Sequence, residues 1–280
     1  MGTKRLQLIE RIRESNRQAA DAWMRWAPHR DHVMAILRQI PTRLCRLCIL
    51  GAGHLHDVIL PELADRFHEI VLVDIDEPTV TSALSRVETR TRRICRVVPA
   101  TDLTGILELL EWVQEGHTDV DQVLSALAIH QTEVPGAPFD VTVSLGVLTQ
   151  LFQAVVDAGF TSDQVPRVSL ALRNKHLHDL VRLTRPGGTC VMVTDIVSTA
   201  TAPHLLHTPE TELEPEMARL VAARNFFTGA NPYRIVAVLE DDPEFREEVC
   251  NVCLSNPWLW AVTRDRHHLV CAIIISRRNR

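Results

Sequence analysis

Gly51, Gly53, His54, His56 and Asp57 crowd into one turn of the stretch LCILGAGHLHDVILPEL. Each brings a different chemical capacity. Glycines let a backbone approach a ligand closely, because a Cβ there would collide with it. A histidine titrates near neutrality and serves as a base, and a carboxylate attracts a cationic amino group or caps a helix. Asp74 ends the next apolar run, EIVLVDID, at the offset where an acid accepts hydrogen bonds from both hydroxyls of a ribose. Asp102 ends a third run, ICRVVPATDL, within reach of an adenine amine. Together these residues predict a site for an adenosine-type ligand.

The elements that must hold them alternate. RLCILGAG, EIVLVDID, ICRVVPATDL, FDVTVSLGVL and TCVMVTDIV read as five apolar strands. Helical sequence separates them, which is the signature of a parallel sheet covered on both faces. The helix after the first strand is expected to start near Asp57, with Pro61 in its first turn, where its missing N–H costs nothing. A helical segment over 104–131 is expected to break at EGHTD. WLWAVT, the polar turn RDRH and HLVCAIIIS read as a closing β-hairpin. The fold class expected is α/β: a three-layer Rossmann-like sandwich whose mostly parallel seven-stranded sheet ends in a C-terminal antiparallel hairpin. Residues 1–43, two helices broken near Pro28, form an N-terminal helical cap. Residues 44–280 form the domain, with a helical insertion over about 199–255.

Composition narrows the functional classes. The chain has 280 residues, 46% of them hydrophobic, and a formal charge of -5. That charge gives no global case for nucleic acid, and the run RVETRTRRICR reads as solvated surface. No apolar run is long enough for a bilayer and the first residues lack the apolar core of a signal peptide, so a cytoplasmic location without membrane contact is expected. Two C-x-x-C pairs occur among seven cysteines. Cys45 and Cys48 fall in a strand, where residues three apart point to opposite faces. Cys250 and Cys253 have helical spacing and read as a core stripe, so no metal site is expected.

Three features turn the ligand away from a nicotinamide dinucleotide. The third glycine of that fingerprint is absent. Asp57 stands where the pyrophosphate would lie, and Asp102 offers itself to an adenine amine. Across these motifs the sequence resembles the class I S-adenosylmethionine (SAM)-dependent methyltransferases. ILGAGHLHD resembles that family's glycine-rich first motif, LVDID its ribose-binding acid, ATDL its adenine loop, FDVTVSLGVL its fourth-strand motif, and the final hairpin its reversed last strand. The resemblance spans residues 44–198 and 256–276.

It implies a cofactor, SAM, and a product, S-adenosylhomocysteine (SAH). It also implies a cofactor site made of Gly51, Ala52, Gly53, His54, Asp57, Asp74, Ile75, Asp102, Leu103, Gly146 and Gln150. SLGVLTQL lacks the Asn/Asp-Pro-Pro-aromatic pattern of enzymes that methylate base amino groups. A small-molecule acceptor is therefore the expectation, with a protein or peptide acceptor as the alternative. His54 and His56 are the candidate bases, and their competing role is to cap the helix and bind backbone. Phe227 and Tyr233, in NFFTGANPYRI, are candidates to wall the acceptor pocket. Two other readings stay open. A SAM-binding sensor or partner subunit would share every cofactor motif. An NAD(P)-binding oxidoreductase would need a catalytic pair from a chain with one tyrosine, Tyr233, and two lysines, Lys4 and Lys175.

Overall fold

The computed structural model describes residues 5–41, 45–114, 116 and 118–279. The expected cap boundary at 43/44, Lys4, Arg280, and Glu115 and His117 of the EGHTD break lie outside the described residues. Helices α1 (Arg5–Ala19) and α2 (Ala27–Gln39) come first. Alternation then follows through β1 (Cys45–Leu50), α3 (Leu60–Ala64), β2 (Phe67–Val73), α4 (Glu77–Ser85), α5 (Thr89–Arg92) and β3 (Cys95–Val97). Helices α6 (Leu107–Gln114) and α7 (Val120–Ile129) flank the expected break, and β4 (Phe139–Leu145), α8 (Val147–Asp157), α9 (Gln164–Leu183) and β5 (Thr184–Ser198) complete the parallel part. The insertion carries α10 (Leu213–Ala222), α11 (Pro232–Asp241) and α12 (Pro243–Glu248) and leads into β6 (Val249–Leu254), β7 (Trp258–Ala261) and β8 (His267–Arg277).

The strands are ordered β3-β2-β1-β4-β5-β8-β6, with β7 also paired to β8. Strands β1 to β5 are parallel, and β8 runs antiparallel to β5 and to β6 and β7. The Rossmann-like architecture and the reversed closing strand are as the sequence predicts. Burial follows the two-residue period of a sheet covered on both sides. In β1, Cys48 and Leu50 enter one core while Cys45, Leu47 and Ile49 enter the other. The two cysteines therefore face apart, as their strand spacing requires.

Two expectations are corrected. Among the described residues the sheet has eight strands rather than seven, and VCNVCL is strand β6 rather than helix, with Cys250 and Cys253 exposed on it. A three-residue cysteine spacing does not discriminate helix from strand; pairing of β6 along residues 273–277 of β8 decided it. β7 continues the same edge along residues 267–270, so β6 and β7 are one edge interrupted at Ser255, Asn256 and Pro257, where the proline has no N–H for the ladder. The other correction concerns α3, which starts at Leu60 with Ile59 as N-cap. Leu55 adopts a left-handed conformation, φ 61°, and this bends residues 51–59 into an irregular turn instead of a helix entered at Asp57. Among the described residues, no helix is long and apolar enough to cross a membrane.

Candidate functional site

Strand order reverses direction between β1 and β4, and open α/β sheets bind ligands in the crevice at such a switch point. The turn after β1 supplies one wall. Gly51 has φ 76°, and a Cβ there would lie 2.5 Å from Val147 Cγ2 and 2.8 Å from the Leu145 carbonyl oxygen. Its glycine is thus demanded by β4 and α8 before any ligand arrives. Gly53, φ 43°, has only open space within 4 Å of the same position. Ala52 is buried in the core behind the turn.

Asp74, just past β2, accepts hydrogen bonds from Gly53 N (2.9 Å) and Asp76 N (2.9 Å). Burial pushes its carboxyl above the ordinary range, opposed by those amide donors. Asp74, Ile75, Asp102, Leu103 and Gln150 line a narrow cavity of about 50 Å³ together with Gly51. Asp102 is engaged inside its own loop: one oxygen accepts from Thr104 N and Oγ1, the other from Leu107 N at the start of α6. Its first duty is to shape the loop that presents Leu103.

His54, His56 and Asp57 turn the other way, toward the N-terminal helices. His54 donates from Nε2 to the carbonyl oxygen of Asn16 in α1 (2.8 Å). His56 is 7% exposed, stacks on His54 and meets Trp23 and Trp26 edge-on. Burial, then the neighbouring His54, push its pKa down to about 4. Asp57 accepts from His29 Nε2 (3.0 Å), while His29 Nδ1 accepts from Trp258 Nε1 (3.0 Å). An indole only donates, so the order of donors is fixed as Trp258 to His29 to Asp57. Asp57 therefore anchors α2 and β7; it caps no helix, since α3 begins three residues later. None of the three residues lines the narrow cavity or the larger one beside it.

The larger cavity, about 490 Å³, shares the lining residue Gln150 with the narrow one. Gly146, the left-handed N-cap of α8, also lines it. Phe227 lines the larger cavity, whereas Tyr233 is 40% exposed on α11 and lines neither cavity. The polar residues here escaped the sequence reading. Asp195, three residues before the end of β5, accepts from His268 Nδ1 (2.9 Å) and Thr149 Oγ1 (3.1 Å). Three residues lining this cavity each carry a buried side-chain atom without a hydrogen-bond partner in the protein: Asp195 Oδ1, Ser169 Oγ and Trp260 Nε1. A signal existed for Asp195, an acid closing an apolar strand at the ligand-binding edge. His268 gave none, because only the pairing of β8 with β5 brings it across from that strand end.

No protein-family model matches the sequence, and no curated protein matches it. Solved structures match by fold. A SAM-dependent methyltransferase from Methanosarcina mazei is 11% identical, with 87% of this chain and 97% of that chain covered and a TM-score of 0.46. A TehB-like SAM-dependent methyltransferase from Corynebacterium glutamicum is 14% identical, with 94% and 98% covered and a TM-score of 0.43.

Proposed function

We propose that this chain is a SAM-dependent methyltransferase with a small-molecule acceptor. The observation that carries the reading is that Gln150 lines two cavities, one lined also by Asp74 and the other by Asp195 and His268. In this reading Asp74 receives the ribose hydroxyls through the lone pairs left by its amide donors. Ile75 and Leu103 border the adenine, and Gly53, Gly146 and Gln150 face the methionine portion. A nucleoside needs more room than about 50 Å³, so the ends of the Leu103 and Gln150 side chains move aside on binding.

Bound SAM supplies a methyl carbon already activated by a sulfonium, and transfer is an in-line displacement. What the chain must do is orient the acceptor and exclude water. The larger cavity falls within the 300–1,000 Å³ typical of drug-sized ligands, which supports a small molecule over a protein or peptide. The oxidoreductase reading loses its catalytic pair. Lys175 spends its Nζ on the Leu103 carbonyl, Thr132 and Asp179 deep in the domain, and Tyr233 is not among those partners.

The test is calorimetric titration with SAM, SAH and NADPH, for the natural chain and for Asp74→Ala. We expect binding of SAM and SAH that weakens at least a hundredfold in the variant, and none of NADPH. Nicotinamide binding, or SAM binding indifferent to Asp74, would overturn the reading.

A further inference from the structure

The Asp195 carboxylate only accepts hydrogen bonds, so its contact with His268 Nδ1 places the proton on that nitrogen and the lone pair on Nε2. Nε2 has no hydrogen bond within the protein among the described residues. Aromatic rings hold the imidazole from two sides: Phe227 at 5.5 Å and Trp260 at 6.1 Å, both edge-on. His268 is 13% exposed and Asp195 7% at the side chain, yet both line the larger cavity. A basic nitrogen with its lone pair held open beside a ligand-sized space is the arrangement of a general base. The other ionisable group lining this cavity is Arg266, exposed in the turn before β8.

The walls of the cavity describe what the base acts on. They are aromatic and aliphatic, with Phe152 and Val165 beside Phe227 and Trp260. A flat, uncharged ring system matches them. A base contributes only where the acceptor must lose a proton, which an aromatic hydroxyl does and a tertiary amine or thioether does not.

Resting on the methyltransferase reading above, we propose that His268 is the general base and Asp195 its positioning residue, for methylation of a hydroxyl on a planar aromatic acceptor. As the hydroxyl oxygen forms its bond to the methyl carbon, its proton passes to His268 Nε2. The carbon–sulfur bond breaks with its electron pair returning to sulfur. The products are an aryl methyl ether, SAH and an imidazolium that gives its proton to water.

Two measurements on the full chain test this. The first is 15N NMR of the histidine rings in the SAH-bound protein, which needs no acceptor. We expect His268 as the Nδ1–H form above neutral pH in the natural chain, and loss of that preference in Asp195→Ala. An Nε2–H form in the natural chain would overturn the assignment.

The second uses isotopically labelled SAM with matched one- and two-ring probes: phenols, pyridines and aryl thioethers. Phenols should be methylated, and His268→Asn should lower kcat by a hundredfold or more with SAH affinity within twofold. The variant's rate should climb with pH toward the phenol's own ionisation more steeply than that of the natural chain. Equal phenol rates in the variant, transfer confined to pyridines or thioethers, or no phenol methylated by a chain that binds SAM would each overturn the proposal. Failure of the natural chain to bind SAM or SAH would sink the underlying reading instead, and this proposal with it.

Discussion

Two neighbours in one turn divide their labour by the direction each side chain takes. His56 is packed between two tryptophans, and Asp57 closes the Trp258–His29–Asp57 chain. That division makes Asp57 separable from the cofactor. Asp57→Ala leaves the Nε2–H of His29, itself 3% exposed, without its acceptor, so we expect a loss of about 1–3 kcal/mol in urea unfolding. SAM affinity by calorimetry should stay unchanged. Asp74→Ala should do the reverse, since its carboxylate faces the crevice; a variant that lost both properties would place the two residues in one unit.

At the scale of elements, α1 is the piece that spans the site. Asn16 accepts from His54 through its carbonyl and donates from Nδ2 to Asp76 Oδ2 (2.8 Å), and it also lines the larger cavity. One residue thus ties the helix to the turn after β1 and to the segment after β2. Asn16→Ala removes the charge-assisted half of that tether. Amide exchange over residues 9–19 should quicken about tenfold, measured by mass spectrometry, with β1 and β4 unaffected. Unchanged exchange in α1 would mean that the Arg11–Asp157 ion pair and apolar packing hold it alone.

For the whole molecule, two buried histidines set the response to acid. His56 and His176 are 7% and 1% exposed, and burial pushes both down to about 4. His176 lies under the sheet, bonded to Ser144 Oγ at 2.8 Å. Their folded pKa values lie below the value of about 6.5 expected in an unfolded chain. The unfolded chain therefore takes up protons that the folded chain refuses, and stability present above pH 6.5 drains away as the pH falls toward 4. By pH 5 the loss should reach about 2 kcal/mol from each histidine. Urea midpoints at pH 7 and pH 5 should show it, and His56→Phe or His176→Gln should each remove about half the difference. An undiminished difference in both variants would move the acid sensitivity to other groups.

The sequence alone determined the parallel sheet, its reversed closing strand, the glycine turn and the acid at the tip of β2. Those features are local: apolar runs of strand length, glycines at turns and an offset along the chain are written in consecutive residues. Tertiary structure decided which way side chains in that turn point. It turned His54 and Asp57 toward α1 and α2, because Leu55 bends the chain and the helices offer Asn16 and His29 as partners. It also decided that Cys250 and Cys253 lie on an edge strand, since β8 supplied the hydrogen bonds. The dyad of Asp195 and His268 joins residues 73 positions apart. No spacing in the sequence records it, because a cross-strand contact depends on the register of β8 against β5, and that register is set by burial of both strands' apolar faces.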